Sequence, residues 1–193
     1  MIPSAKECLE YMDKYEMLEN IKAHSMVVER VANIIARGLI DTGLDLMLEK
    51  ITAGALLHDI GKSICLGTEE DHAVKGEEIC VENQLDEIAD IVGEHVVLKN
   101  FQPRAPISEK EIIHYADKRV NHDHVVSLGE RLEYLIDRYG RDTAHLIGRI
   151  KKNFKICEAL ERKLFRGLRF KPEALVDMVK EEDFPGMGHD FRS

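Results

Sequence analysis

The stretch Leu56-Leu57-His58-Asp59-Ile60-Gly61-Lys62 closes an apolar run with an adjacent histidine and aspartate. Residues 44–57 read as one strongly apolar segment, and Gly61 is placed to stop a helix after it. An ordinary helix terminus could carry any polar residues here. A His-Asp pair ending the most apolar segment of the chain instead asks for partners from elsewhere, because buried imidazoles and carboxylates are costly unless something satisfies them.

Working outward, helical periodicity runs along most of the chain. Met17, Ile21, Val28, Val31 and Ile35 fall on a three-four repeat, with Gly38 and Gly43 near its end. Residues 72–84, 85–97, 109–120, 125–139 and 143–168 read as further helices, and Pro172 opens a short last one at or near its first position. Residues 100–108, with Pro103 and Pro106, form the clearest loop, and 184–193 reads as an irregular tail. No alternating strand pattern of useful length, internal repeat or low-complexity tract stands out. The expected fold is all-α, a compact helical bundle in a single domain over 1–193.

Composition agrees with a globular chain and excludes several classes. Of the 193 residues 44% are hydrophobic and 33% charged, enough for a real core. Trp is absent, aromatics are 6% and the net charge is -9, which argues against a general nucleic-acid binder. The first residues lack a signal-peptide layout, and no apolar run approaches the roughly 20 residues of a membrane span. The expectation is a cytoplasmic protein, monomer or homodimer, with no membrane or nucleic-acid partner. Cys8, Cys65, Cys80 and Cys157 are scattered and read as reduced, ordinary small hydrophobes. Residues 69–94 hold ten acids and one Lys, while 141–171 hold ten Lys or Arg and three acids. These are either solvated helix faces or, for the basic segment, part of an anion-attracting wall near an active site.

Several polar residues fall where core is expected. His24 shares a face with Ile21, Val28 and Val31; His95 follows Ile88, Ile91 and Val92; Asp117 lines up with Ile113 and Val120. His72 opens a helix with Gly76 one turn on, leaving room for something to approach. Taken singly, each histidine is more often a satisfied core residue than a ligand. Taken together with His58 and Asp59, the simplest way to accommodate them is a metal ion around which they meet. Imidazole and carboxylate ligands suit Fe, Mn, Co, Ni or Zn better than the oxygen-seeking Mg.

The ordered set His24, His58-Asp59, His72, His95, Asp117 resembles the HD superfamily of metal-dependent phosphohydrolases, in particular its HDIG subgroup. The resemblance is carried by HDIGK at 58–62, DHAVKGEEI at 71–79, EHVVL at 94–98 and YADKRV at 115–120. It covers roughly 18–137 and leaves 143–193 as a C-terminal helical extension. It implies an all-α fold and hydrolysis of phosphate esters or anhydrides, often in nucleotides. The ligand set resembles that of two-metal members, which include diadenosine tetraphosphate hydrolases. On that pattern His24, His58, Asp59 and Asp117 hold one metal, and Asp59 bridges to a second held by His72 and His95. Iron is the first expectation. The chain departs from the pattern in having a single histidine at 95, where some members show a pair, so the second metal would rely more on water or substrate. A GYP-type motif is absent, which disfavours cyclic-di-GMP as substrate.

The chemistry is consistent with this set. Two cations ~3.5–4 Å apart can activate water and neutralise charge developing on a phosphoryl group. His58 and Asp59 would sit at the catalytic centre, with Lys62 reaching a phosphate oxygen as a point charge. Lys118, Arg119 and His122 are candidate contacts for the rest of an anionic substrate, surface pairing being the alternative. His114 is read as structural and Cys65 as packing, while His124, His145 and His189 carry no further argument. The leading expectation is a phosphohydrolase acting on a nucleotide or dinucleoside polyphosphate. The alternatives are a single-metal nucleoside monophosphate phosphatase and a non-catalytic nucleotide-sensing or protein-interaction module.

Overall fold

In the computed structural model, which describes residues 1–140 and 144–181, three helices begin with one local device. Ser4, Ser108 and Ser127 each accept a hydrogen bond from the backbone three residues on, and Glu7, Glu111 and Glu130 reach back to the cap. This reciprocal pairing satisfies donors that a helix start otherwise leaves open. The elements are α1 Ala5–Lys14, α2 Glu19–Ile40, α3 Leu48–Leu57, α4 His72–Glu82, α5 Asp86–Glu94 and α6 Glu109–Lys118. A hairpin of β1 Val120–Asn121 and β2 His124–Val125 follows, then α7 Leu128–Tyr139, α8 Ala144–Leu164, a 3-10 turn Pro172–Ala174 and α9 Leu175–Glu181. The fold is all-α; the two-residue hairpin is the only sheet among the described residues.

The 22-residue α2 is the central strut, packing on α3 and α6, while α4 and α5 pair with each other. One apolar cluster joins Val28 and Ile35 of α2, Ile51 and Leu57 of α3, Ile88 and Ile91 of α5, and Ile112 and Ile113 of α6. Phe154, Cys157, Leu160 and Leu164 of α8 belong to the same cluster. Each fully buried aliphatic side chain contributes about 1.5–3 kcal/mol, so the ends of these helices are held firmly relative to one another. Among the described residues no helix is long and apolar enough to cross a membrane.

Sequence and structure differ at several edges. The apolar segment 44–57 is helical only from Leu48, and the helices expected at 72–84 and 85–97 end earlier, at Glu82 and Glu94. Helix α1 was not anticipated, because it buries only Cys8 and Met12, too short a stripe for a periodicity argument; its capping box was the available signal. The expected helix start at Thr143 and the tail 184–193, with His189, lie outside the described residues.

Gly61 differs in its reason. Its backbone does not adopt positive φ, so it is not a left-handed helix stop. A Cβ there would lie 2.5 Å from the His72 carbonyl oxygen and 2.7 Å from the Gly76 nitrogen. The turn after α3 thus lies backbone to backbone against the start of α4. The space left by Gly76 is taken by Gly61 and by Val92, whose Cγ1 would lie 2.6 Å from an added Cβ. Gly61→Ala is therefore expected to cost about 2–3 kcal/mol, since backbone cannot yield as a side chain can. Gly148→Ala, with nothing within 4 Å of the added carbon, should be neutral or stabilising by up to about 1 kcal/mol. Urea denaturation of the two variants measures the contrast.

Candidate metal centre

Six side chains from five helices converge at one end of the bundle. His24 lies in the second turn of α2, His58 and Asp59 just past α3, His72 at the first position of α4, His95 just past α5, and Asp117 in the last turn of α6. Helix ends leave carbonyl oxygens unpaired, and two of the histidines use them. His58 Nδ1 donates to the Ala55 carbonyl at 2.7 Å, and His95 Nδ1 to the Val92 carbonyl at 2.6 Å. His24 Nδ1 donates to the carbonyl of His122 at 2.7 Å, which the hairpin turn presents with His122 at φ +54°. A carbonyl only accepts, so all three rings carry the proton on Nδ1 and, when neutral, a lone pair on Nε2.

Those Nε2 atoms face one another and two carboxylates. His24, His58 and Asp59 present donor atoms within 4.8 Å of one another, and so do Asp59, His72 and His95. Asp117 Oδ1 is 3.0 Å from His24 Nε2 and 3.8 Å from His58 Nε2. Asp59 Oδ1 lies 3.4 Å from both His72 Nε2 and His95 Nε2, and these two nitrogens are 3.3 Å apart. His58 Nε2 is fully buried and makes no hydrogen bond among the described residues. Carboxylate oxygens of Asp59 and Asp117 lie 3.5 and 3.8 Å from it. Lone pairs aimed at lone pairs and at carboxylates repel unless a cation lies among them. The donor set therefore fits divalent transition-metal ions.

The electrostatics point the same way. Burial pushes the His58 imidazole down to about 3, so the ring is neutral as a metal ligand must be. Burial alone would raise the Asp59 carboxyl, but His58, His72, His95 and Lys62 around it hold it well below the usual carboxylate range. Asp117 is likewise ionised against its burial by Lys118, His24 and His58. Five of the six groups are nearly inaccessible; the His72 side chain alone is 30% exposed, which opens the centre to solvent on its side.

The cations expected around substrate have different placements. Lys62 Nζ sits 2.6 Å from Asp59 Oδ2, its side chain 37% exposed at the same mouth. Lys118 is buried, its ammonium donating to the His95 carbonyl at 3.0 Å and to Asp117 Oδ2. It thereby occupies one Asp117 oxygen and leaves Oδ1 to the two histidines. A substrate contact is not available to Arg119. It is 2% exposed, and its guanidinium donates to the Val126 carbonyl, Tyr115 hydroxyl and Pro172 carbonyl. Its position two residues after a ligand placed it near the site in sequence, but the helix turns it toward α8. Arg119→Met should accordingly lower thermal stability, by about 3 kcal/mol for a broken buried charge network, more than it changes substrate affinity.

His122 is exposed, its ring edge-on to Tyr134 at 5.3 Å, and it serves the cluster through its carbonyl. His114 is buried against Cys157, 3.6 Å from Nε2 to Sγ, and burial with the nearby Lys118 ammonium pushes its imidazole down to about 3. His124 pairs with Asp123 on the surface. Two residues of the basic segment lie away from this centre. Lys163 and Arg166 line, with Asp45 and Arg104, a cleft of about 800 Å³ by the start of α6, whereas Asp117 is at its end. Sequence reasoning missed the Lys118 brace and the carbonyls of Ala55, Val92 and His122.

Compared with known proteins, residues 21–121, a little over half of the chain, match the HD domain. All six converging residues lie within that segment. The chain is 35% identical over 97 residues to a tRNA (cytidine(56)-2'-O)-methyltransferase of Thermoplasma volcanium, a match taking in 50% of this chain but only 27% of that protein. It is 32% identical over 132 residues to an uncharacterised protein of Methanocaldococcus jannaschii, covering 58% of this chain and 77% of the relative. No solved structure matches it. With the motif series, the all-α fold and the cation-ready cluster agreeing, the chain belongs to the HD domain family.

Proposed function

We propose that the protein hydrolyses a phosphate ester or anhydride in a small compound, a nucleotide or dinucleoside polyphosphate, using two metal ions. The observation that carries this reading is that Asp59 is common to both donor sets. A carboxylate shared in this way can hold two like charges close together. His24, His58, Asp59 and Asp117 would hold one ion, and Asp59, His72 and His95 the other, with iron first by donor chemistry and Mn, Co, Ni or Zn next. When bound, such ions supply an activated water and neutralise charge developing on the phosphoryl group.

The chain's own residues do the rest. Lys62, beside Asp59 and half-exposed, is placed to exchange that carboxylate for a phosphate oxygen of an arriving substrate. Burial raises the effective strength of each charge interaction, and the exposed edge of His72 marks the side of entry. His58 acts as a ligand held neutral by its surroundings.

A single-metal nucleoside monophosphate phosphatase is the second reading. It is favoured by the inequality of the two sets: the first has four buried donors, whereas the second has three and one of them is partly exposed. Elemental analysis of anaerobically purified protein, with phosphate release measured over a panel of nucleotides and dinucleoside polyphosphates, tests both. Two ions per chain and turnover are expected. One ion, with turnover unaffected by His72→Ala, selects the second reading. Tight nucleotide binding without turnover in any metal supports a sensing module instead.

A further inference from the structure

His95, like His58 and Asp59, lies outside regular structure. It caps α5, one residue beyond the last helical residue, where the chain bends away from the helix. Its ring is held by the Val92 carbonyl and its own carbonyl by Lys118. The next carbonyl, that of Val96, accepts from Asn153 Nδ2 at 2.9 Å. Asn153 belongs to α8, beyond residues 21–121. Its Oδ1 is buried without a hydrogen-bond partner among the described residues, so donation to Val96 is the bond that orients this amide.

The same face of α8 reaches the other end of the centre. Residues 153, 157 and 161 are spaced at four, one helical stripe. Cys157 touches His114, and Glu161 accepts from the Tyr115 hydroxyl at 2.6 Å with Arg119 at 3.5 Å. These partners flank Asp117. One rigid helix thus spans from the turn bearing His95 to the helix end bearing Asp117. The two attachments are unequal. Asp117 sits inside a helical turn that Arg119 also anchors to the Val126 and Pro172 carbonyls, whereas the backbone of the His95 bend is held from outside, among the described residues, by Lys118 and Asn153.

We propose that α8, from outside the family-matched segment, is a positioning element of the metal centre, with Asn153 setting the aim of His95. The proposal rests on the two-ion reading only for its metal-binding consequence. Residues that hold a ligand in place typically alter metal affinity about tenfold to a hundredfold when replaced, and a misaimed His95 would weaken one ion site selectively.

The test uses the full chain stripped of metal, with Mn2+ as probe. Asn153→Asp keeps the shape but turns an acceptor toward the Val96 carbonyl, and Asn153→Ala removes the contact. Both variants should weaken one of two Mn2+ sites by about tenfold to a hundredfold and leave the other near its wild-type affinity. In phosphate release kcat should fall with KM little changed. Glu158→Ala, on the exposed side of α8, should change none of these. Equal weakening of both sites, or two unaltered sites, overturns the proposal. A second readout needs no metal: in histidine-labelled protein the His95 Nδ1–H signal should lose its protection from exchange in Asn153→Asp while that of His58 keeps it. Should the wild type take up fewer than two Mn2+, the two-ion reading falls. The exchange readout then decides the positioning role, an unchanged His95 signal refuting it.

Discussion

Asp59→Asn is expected to remove both metal ions together and to lower kcat/KM at least about a thousandfold, or about 4 kcal/mol of transition-state stabilisation. Asparagine keeps the shape of the side chain, so packing in a position 1% exposed is preserved. It gives up the charge, however, and its amide group cannot serve two cations. The neighbours sharpen the expectation. With His58 3.5 Å from Oδ2 and His72 and His95 3.4 Å from Oδ1, one carboxylate oxygen faces each half of the cluster. Single replacements elsewhere should be one-sided: His24→Ala should cost the first ion and His95→Ala the second. Metal content per chain by mass spectrometry, read beside a thermal melt, distinguishes the cases. An Asp59→Asn protein that keeps one ion at full occupancy would show that Asp59 is not the shared ligand.

Acid should destabilise the metal-free protein well above the carboxylate range. His58 and His114 titrate at about 3 in the folded chain because burial disfavours their charged forms, against about 6.5 when unfolded. Between those values the unfolded state binds more protons than the folded one, so stability rises with pH and falls on acidification. Each histidine contributes a slope of about 1.4 kcal/mol per pH unit once the unfolded imidazole is protonated, hence about 2–3 kcal/mol by pH 4.5. Asp59 and Asp117 are shifted down. Their stabilisation is fully present above the unfolded value near 3.8 and is lost only as pH falls further. The histidines therefore set the slope between pH 6.5 and 4. Urea unfolding of chelator-treated protein across that range should show it, and His114→Leu should reduce it by about half. A slope untouched by that substitution would exclude His114 from the effect.

Much of the candidate centre was legible in the sequence because the six converging side chains are polar residues on or at the ends of apolar helical faces. His24, His95 and Asp117 each break a hydrophobic stripe, and His58-Asp59 ends the most apolar one. The long helices announced themselves by the same periodicity. What was hidden depends on rotation and on distant partners. Asp117, Lys118 and Arg119 are consecutive, yet neighbours on a helix point about 100° apart. One faces the metal site, one braces it from within and one turns to α8. Their partners, the carbonyls of His95 and Pro172 and the carboxylate of Glu161, lie 23 to 53 residues away. Gly61 was marked as special for the wrong reason, since a close backbone approach leaves no local trace that separates it from a helix stop.

The carbonyls of Ala55, Val92 and His122 carry a consequence for how such a centre can drift over evolutionary time. Each fixes the proton of one imidazole, yet each does so with an atom that every amino acid possesses. Selection on metal binding therefore acts on where the chain runs at these three positions, and only weakly on which residue stands there. Two homologues could share this half of the site completely while showing unrelated letters at 55, 92 and 122, and an alteration of the local path could disable the site with all six ligand residues unchanged.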